Sequence, residues 1–146
     1  TGFQQDLTGR ENIRLQSSIY GRSKSETLEL EEEVIEFSGI REFIDDPIRT
    51  YSAGMRARLG FAIISSLDPE ILLLDEVMSV GDHEFRKKSR ARIEELVQGD
   101  ATVVIVSHSK SILNNLCSKV YAIDNGAVMT HGDIDEAFEF YESEKA

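Results

Sequence analysis

Three short stretches hold groups that could do phosphate chemistry: Ser52-Ala53-Gly54, Asp75-Glu76 and His108. Ser52 is a good helix N-cap, and the small residues after it leave the first helical amides without bulky cover. Unpaired N–H groups and the positive end of the helix dipole converge at such a start, which suits an anion. Asp75 and Glu76 close an apolar run, Ile71-Leu72-Leu73-Leu74. Ligands of open α/β sheets collect at the carboxyl ends of strands. One carboxylate there can hold Mg²⁺ while its neighbour orients or deprotonates a water. The same pair could instead cap a helix or sit in a buried ion pair. His108, in Ser107-His108-Ser109, follows a second apolar run and should emerge on the same sheet edge. A lone histidine is usually structural; its place beside Asp75 and Glu76 favours a site. His83 and His131 have no such setting and read as surface residues. The histidines and Cys117 lack metal-ligand spacing, which argues against zinc.

The elements that must position these groups follow from periodicity and caps. The first 50 residues read as helical. Thr8-Gly9-Arg10-Glu11 and Ser23-Lys24-Ser25-Glu26 each fit a capping box. The second predicts a helix carrying Leu28, Val34, Ile35 and Phe37 and stopping at Gly39, with Glu29, Glu31, Glu32, Glu33 and Glu36 on a face that reads as solvated in preference to an acidic docking surface. Asp45-Asp46-Pro47 breaks the pattern. From Ser52, the spacing of Met55, Leu59, Ala62 and Ile63 predicts a helix that ends at Asp68-Pro69. Ile71 to Leu74 reads as a parallel strand covered on both faces. Phe85, Ser89, Ile93, Leu96 and Val97 mark a helix closing near Gly99. Thr102 to Val106 is a β-branched strand, followed by a helix with Ile112, Leu113, Leu116 and Cys117. Asp124-Asn125-Gly126 is a hairpin turn between Val120–Ile123 and Ala127–Met129, and Asp133 caps a last helix with Ile134, Ala137, Phe138 and Tyr141 on one side. Strand and helix alternate, so the fold class is α/β: a parallel sheet with an antiparallel edge hairpin.

Bulk properties exclude several classes. A chain of 146 residues, 40% hydrophobic and 29% charged, has the composition of a soluble globular protein and can bury a real core. A net charge of -11 argues against nucleic acid as a partner, since phosphate backbones need a basic stripe. The longest apolar runs are too short to span a bilayer, and Thr1-Gly2-Phe3 begins no signal peptide. One cysteine allows no internal disulfide and fits a reducing compartment. The chain opens on Thr1, so a fragment or processed product is expected.

Together the motifs resemble those of ABC ATPases. Tyr51-Ser52-Ala53-Gly54-Met55 is similar to the family's signature motif, and Ile71-Leu72-Leu73-Leu74-Asp75-Glu76 to its Walker B strand. Ser79-Val80-Gly81-Asp82 resembles the D-loop and Val106-Ser107-His108 the switch-histidine loop. Leu7-Thr8-Gly9-Arg10-Glu11-Asn12-Ile13, Thr50 to Met55 with Arg58-Leu59, and Val80-Gly81-Asp82 narrow the likeness to ATPase subunits of polysaccharide, O-antigen and teichoic-acid exporters. The family's phosphate loop, Gly-x-x-x-x-Gly-Lys-Ser/Thr, starts at none of the ten glycines. The resemblance therefore implies part of a P-loop NTPase-like ABC nucleotide-binding domain, truncated before the Walker A loop. It implies a helical subdomain over 1–68, the second half of the ATPase core over 69–132, and a C-terminal helix over 133–146.

The resemblance also implies roles. ATP would be sandwiched between two subunits. Tyr51, Ser52, Ala53, Gly54 and Met55 would contact nucleotide held by a partner subunit, and Asp82 would couple across that homodimer. Asp75 would hold Mg²⁺, Glu76 would act as general base, and His108 would contact the γ-phosphate. The implied protein is an ATP-hydrolysing subunit for glycan export, docked on a membrane permease at the cytoplasmic face, with this chain alone inactive. A non-catalytic dimerisation or docking module is the alternative, and an upstream Gly-Lys-Ser/Thr loop would discriminate. An ABC ATPase of DNA repair or translation fits the acidic balance poorly. A free-standing metal hydrolase built on Asp75-Glu76 would have too few ligands.

Overall fold

Thr8 starts the first helix by the reciprocal bonds its sequence predicts. Its hydroxyl accepts the Glu11 N–H at 3.1 Å, and the Glu11 carboxylate accepts the Thr8 N–H at 2.8 Å. The computed structural model describes residues 2–75 and 81–143 and continues this helix, α1, over Gly9–Ile19. Ser23 and Glu26 repeat the device at the start of α2, Lys24–Ser38, which Gly39 ends in the left-handed conformation at φ 65°. Two 3₁₀ turns, Arg41–Phe43 and Ile48–Thr50, lead past Pro47 to α3, Ala53–Ser66. The order continues β1 (Ile71–Asp75), α4 (His83–Gln98), β2 (Thr102–Val106), α5 (Lys110–Leu116), β3 (Val120–Asp124), β4 (Ala127–Gly132) and α6 (Ile134–Ser143). These elements match the sequence expectations in type and order.

Two compact units emerge: residues 2–72 with 81–102, and residues 73–75 with 103–143. The first is centred on helices. Ile13, Val34, Ile35, Ile48, Leu59 and Ala62 are fully or almost fully buried in one core. Phe37, Phe61 and Phe85 meet from α2, α3 and α4, two of the three contacts being edge-to-face, the arrangement that aromatic quadrupoles favour. Two expectations for α2 change. Leu28 is 50% exposed, and Leu30 takes its place in the core. Glu31 is not on the solvated face: it is buried, and bonds both Arg10 and Arg14 of α1 at 2.6 Å. The helical stripe that faces α1 includes position 31, and the two arginines provide the charge that makes burial tolerable.

In the second unit β3 and β4 form the antiparallel hairpin, with Val120 opposite Gly132 and a bulge at Ala122/Ile123. Asn125 and Gly126 both take positive φ, 47° and 80°, as a tight hairpin turn requires. The Asp133 carboxylate accepts the Asp135 and Glu136 N–H groups and starts α6. Leu113, Val120, Ala137 and Phe138 form the core of this unit. Strands β1 and β2 pair in parallel, in a ladder separate from the hairpin. Coverage of these strands differs from the expectation of two buried faces. Leu72 and Leu74 are buried, whereas Ile71 and Leu73 are 65% and 72% exposed. A pleat sends successive side chains to opposite faces, and among the described residues only one face is covered.

Candidate nucleotide site

Ser52 caps α3, its hydroxyl accepting the Met55 N–H at 3.1 Å. The intrahelical ladder begins with the Arg56 N–H bonded to the Ser52 carbonyl. By helix geometry, the amides of Ala53 and Gly54 precede that ladder and point outward along the axis. Ser52 and Ala53 are exposed. A Cβ added at Gly54 would meet only the Ser52 hydroxyl, at 3.8 Å, so the space over this turn is open. The helix start combines outward amides, a positive dipole end and room for an anion.

Tyr51 plays a different physical part from its neighbours. It is 3% exposed, and its hydroxyl donates to the Phe43 carbonyl at 2.6 Å. Burial, with Asp46 nearby, pushes this phenol up to about 12, so it stays a donor at neutral pH. Its hydroxyl sits over Gly9, where an added Cβ would collide with it and approach Ile44 Cδ1 to 2.9 Å. Residues 5–10 are laced to 44–49 by Gly9 N–H to Asp46 O, Arg10 N–H to Ile44 O, Ile48 N–H to Leu7 O and Arg49 N–H to Gln5 O. This strap fixes the backbone that delivers Ser52.

Met55 is half-buried against the core. Asp82 caps α4, accepting the Phe85 N–H at 2.9 Å, and also accepts Arg58 of α3 at 2.7 Å. The Phe85 amide and then Arg58 hold the Asp82 carboxyl below the usual range. Arg58 lies 5.4 Å from the Phe85 ring centre as well, so one arginine joins α3 to the start of α4. Sequence reasoning missed this link. The signal was an arginine one turn beyond Gly54, which had no local partner.

In the second unit Asp75 ends β1 and is exposed, and His108 stands two residues beyond β2 on the adjacent strand. The topology thus brings both to strand carboxyl ends. His108 Nδ1 lies 2.8 Å from the Tyr141 hydroxyl. Glu76, with Ser79 and Val80, lies outside the described residues. Among the described residues no three His, Cys, Asp or Glu side chains cluster as metal ligands. Mg²⁺ asks for less: it is commonly held by one or two carboxylates plus waters and substrate phosphates, so a single exposed Asp75 is a suitable donor.

An α/β chain with an open, small-residue helix start and polar groups at parallel strand ends has the organisation of a nucleotide-binding domain. The family model for ABC transporters matches residues 1–79, and the chain belongs to that family. It is 41% identical over 145 residues to the O-antigen export system ATP-binding protein RfbB of Klebsiella pneumoniae, covering 99% of this chain and 59% of that protein. It is 40% identical over 141 residues to the teichoic acids export ATP-binding protein TagH of Shouchella clausii, covering 97% of this chain and 39% of that one. A solved structure of the ATP-binding subunit of an ABC transporter superposes with a TM-score of 0.81 at 20% identity, over 99% of this chain and 60% of the other, which shows the fold. The chain thus spans 59% or less of these two curated relatives.

Proposed function

We propose that the chain is part of an ATP-binding and ATP-hydrolysing subunit that powers export of a polysaccharide or related glycan. The observation that carries this reading is the open helix start at Ser52-Ala53-Gly54, backed by the export functions named for its relatives. The helical part, 1–68, presents that start to nucleotide held by a second copy of the subunit. Residues 69–132 contribute the catalytic strand ends, and 133–146 are the C-terminal helical part. The backbone of Ala53 and Gly54 and the Ser52 hydroxyl donate to phosphate oxygens. Tyr51 and Met55 hold that turn in place, and Asp82 couples it to α4. Asp75 would hold Mg²⁺, which neutralises phosphate charge when bound. Glu76 accepts a proton from the attacking water, and His108 donates to the γ-phosphate. The work is positioning and charge stabilisation, so it belongs to the complete dimer; these 146 residues alone do not hydrolyse ATP.

The subunit acts at the inner face of the cell membrane on a permease partner. Among the described residues no helix is long and apolar enough to cross a membrane. The net charge of -11 disfavours nucleic acid. The test is Gly54→Asp in the complete protein. Added bulk and negative charge at the helix start should block ATP-driven association of two subunits, followed by sedimentation, with the fold unchanged by circular dichroism. A variant that still associates with ATP removes this turn as the phosphate contact.

A further inference from the structure

Helices α3 and α4 are tied to each other along their length, in matching order. At the start of both, the Arg58 guanidinium donates to Asp82 Oδ2 at 2.7 Å, while Asp82 Oδ1 accepts the Phe85 N–H at 2.9 Å. The same carboxylate therefore caps α4 and anchors α3. Arg58 also lies over the Phe85 ring, 5.4 Å from its centre. Gly81 takes φ 89°, and a Cβ added there would come within 2.9 Å of Phe85 Cδ1, so the turn into α4 closes on that ring too. Further along, Phe61 meets Phe85 edge-on at 6.1 Å. Near the end of α3 the Ser65 carbonyl accepts two N–H groups of Arg92, at 2.8 and 3.2 Å.

Arg58 stands one turn beyond Gly54, so its hold acts at the end of α3 whose first amides are free. The strap at Tyr51 fixes the chain that enters this turn, and Arg58 fixes the helix that leaves it. The side chains of Arg58 and Asp82 are 26% and 60% exposed, and a pair so open to water contributes little to stability. It can still fix direction: a guanidinium bonded to a capping carboxylate and laid over an aromatic ring has few other places to go. Direction matters here, because a misplacement of about 1 Å is enough to spoil a phosphate contact. We propose that Arg58 is a positioning residue for the phosphate-binding turn. By locking the start of α3 to the Asp82 cap, it aims the amides of Ala53 and Gly54 at nucleotide held by a second copy. This rests on the reading of Ser52-Ala53-Gly54 as the phosphate contact. It adds that the contact is held from α4, and that association of two copies depends on this hold while ATP binding by one copy does not.

The test uses the complete protein, with ATP-driven association followed by sedimentation and ATP binding by dilute single copies followed by equilibrium dialysis. Arg58→Met removes the charge and keeps an apolar stem beside Phe85. Asp82→Asn weakens the other partner and keeps a side chain able to cap α4. Each variant should need about tenfold more protein to associate in ATP, with single-copy binding and melting temperature nearly unchanged. The double variant should lose no more than either single one, because both remove the same link. Association of Arg58→Met at wild-type strength, an equal fall in single-copy ATP binding, or additive losses in the double variant each overturns the inference. Should Arg58→Met fail to fold, Asp82→Asn decides alone, and its association at wild-type strength is the contrary result. If Gly54→Asp leaves association intact, the phosphate reading itself fails; if Gly54→Asp blocks it while Arg58→Met is normal, only the role of Arg58 fails.

Discussion

Glu31 is the residue whose environment departs most from its sequence neighbourhood. It stands among Glu29, Glu32, Glu33 and Glu36, yet it is 4% exposed and bonded to two arginines. Burial alone would raise its carboxyl, but the hydrogen bonds and charges of Arg14 and Arg10 outweigh burial and lower it. Asp45, on the other side of Arg10, is also lowered, by its hydrogen bond from that guanidinium. A carboxylate held below its unfolded value stabilises the fold above that value and loses the contribution as pH falls through the folded one. Glu31→Gln should therefore cost about 2 kcal/mol at pH 7. Urea titrations should show this gap closing below the ordinary carboxyl value of 4.5. A gap that stays constant to pH 3 contradicts the ion-pair account. The sequence hid Glu31 because a run of glutamates has no mark that distinguishes one face. The available signal lay on α1, where Arg10 and Arg14 sit one turn apart and so present two charges to one partner.

At the scale of elements, local chemistry was legible and distant packing was not. Capping residues at Thr8, Ser23, Ser52 and Asp133 act on amides within three positions, so the sequence alone locates these helix starts. The hairpin turn at Asn125-Gly126 is local in the same way. The strap between residues 5–10 and 44–49 joins positions about 40 apart with main-chain bonds, and no side-chain pattern encodes it. Gly9 is its one visible trace, because the buried Tyr51 hydroxyl occupies the space of a Cβ. Gly9→Ala should lower stability by roughly 1–3 kcal/mol through overpacking. Gly54→Ala, whose nearest neighbour is 3.8 Å away, should leave it nearly unchanged. Thermal melts of the two variants check the contrast; equal melting points would mean that Gly9 does not sit in a closed contact. The run Ile71-Leu72-Leu73-Leu74 misled in the opposite sense. An apolar run reports what a strand can bury, while the Ile71 and Leu73 side remains 65% and 72% exposed in this chain.

For the whole molecule, order and spacing of motifs were more informative than any single residue. The helix start, the strand-end acids and the strand-end histidine each have ordinary structural explanations; their sequence along one chain does not. Family membership and the α/β fold were legible for that reason, and the match over residues 1–79 and the superposition at TM-score 0.81 agree with them. The support behind the motifs was not legible, because Arg58–Asp82 and Tyr141–His108 join residues 24 and 33 positions apart. Such partners depend on tertiary packing and have no fixed spacing. Glu76, the residue after Asp75, is proposed as the base for ATP hydrolysis in the complete subunit. The direct measurement is Mg-ATP binding and turnover for Glu76→Gln beside the wild type. Removing the base while keeping the side chain's size should lower turnover by at least about 100-fold, at the lower end of what general-base catalysis contributes. ATP affinity should be retained. Wild-type turnover in the variant would contradict the account and remove Glu76 from the chemistry.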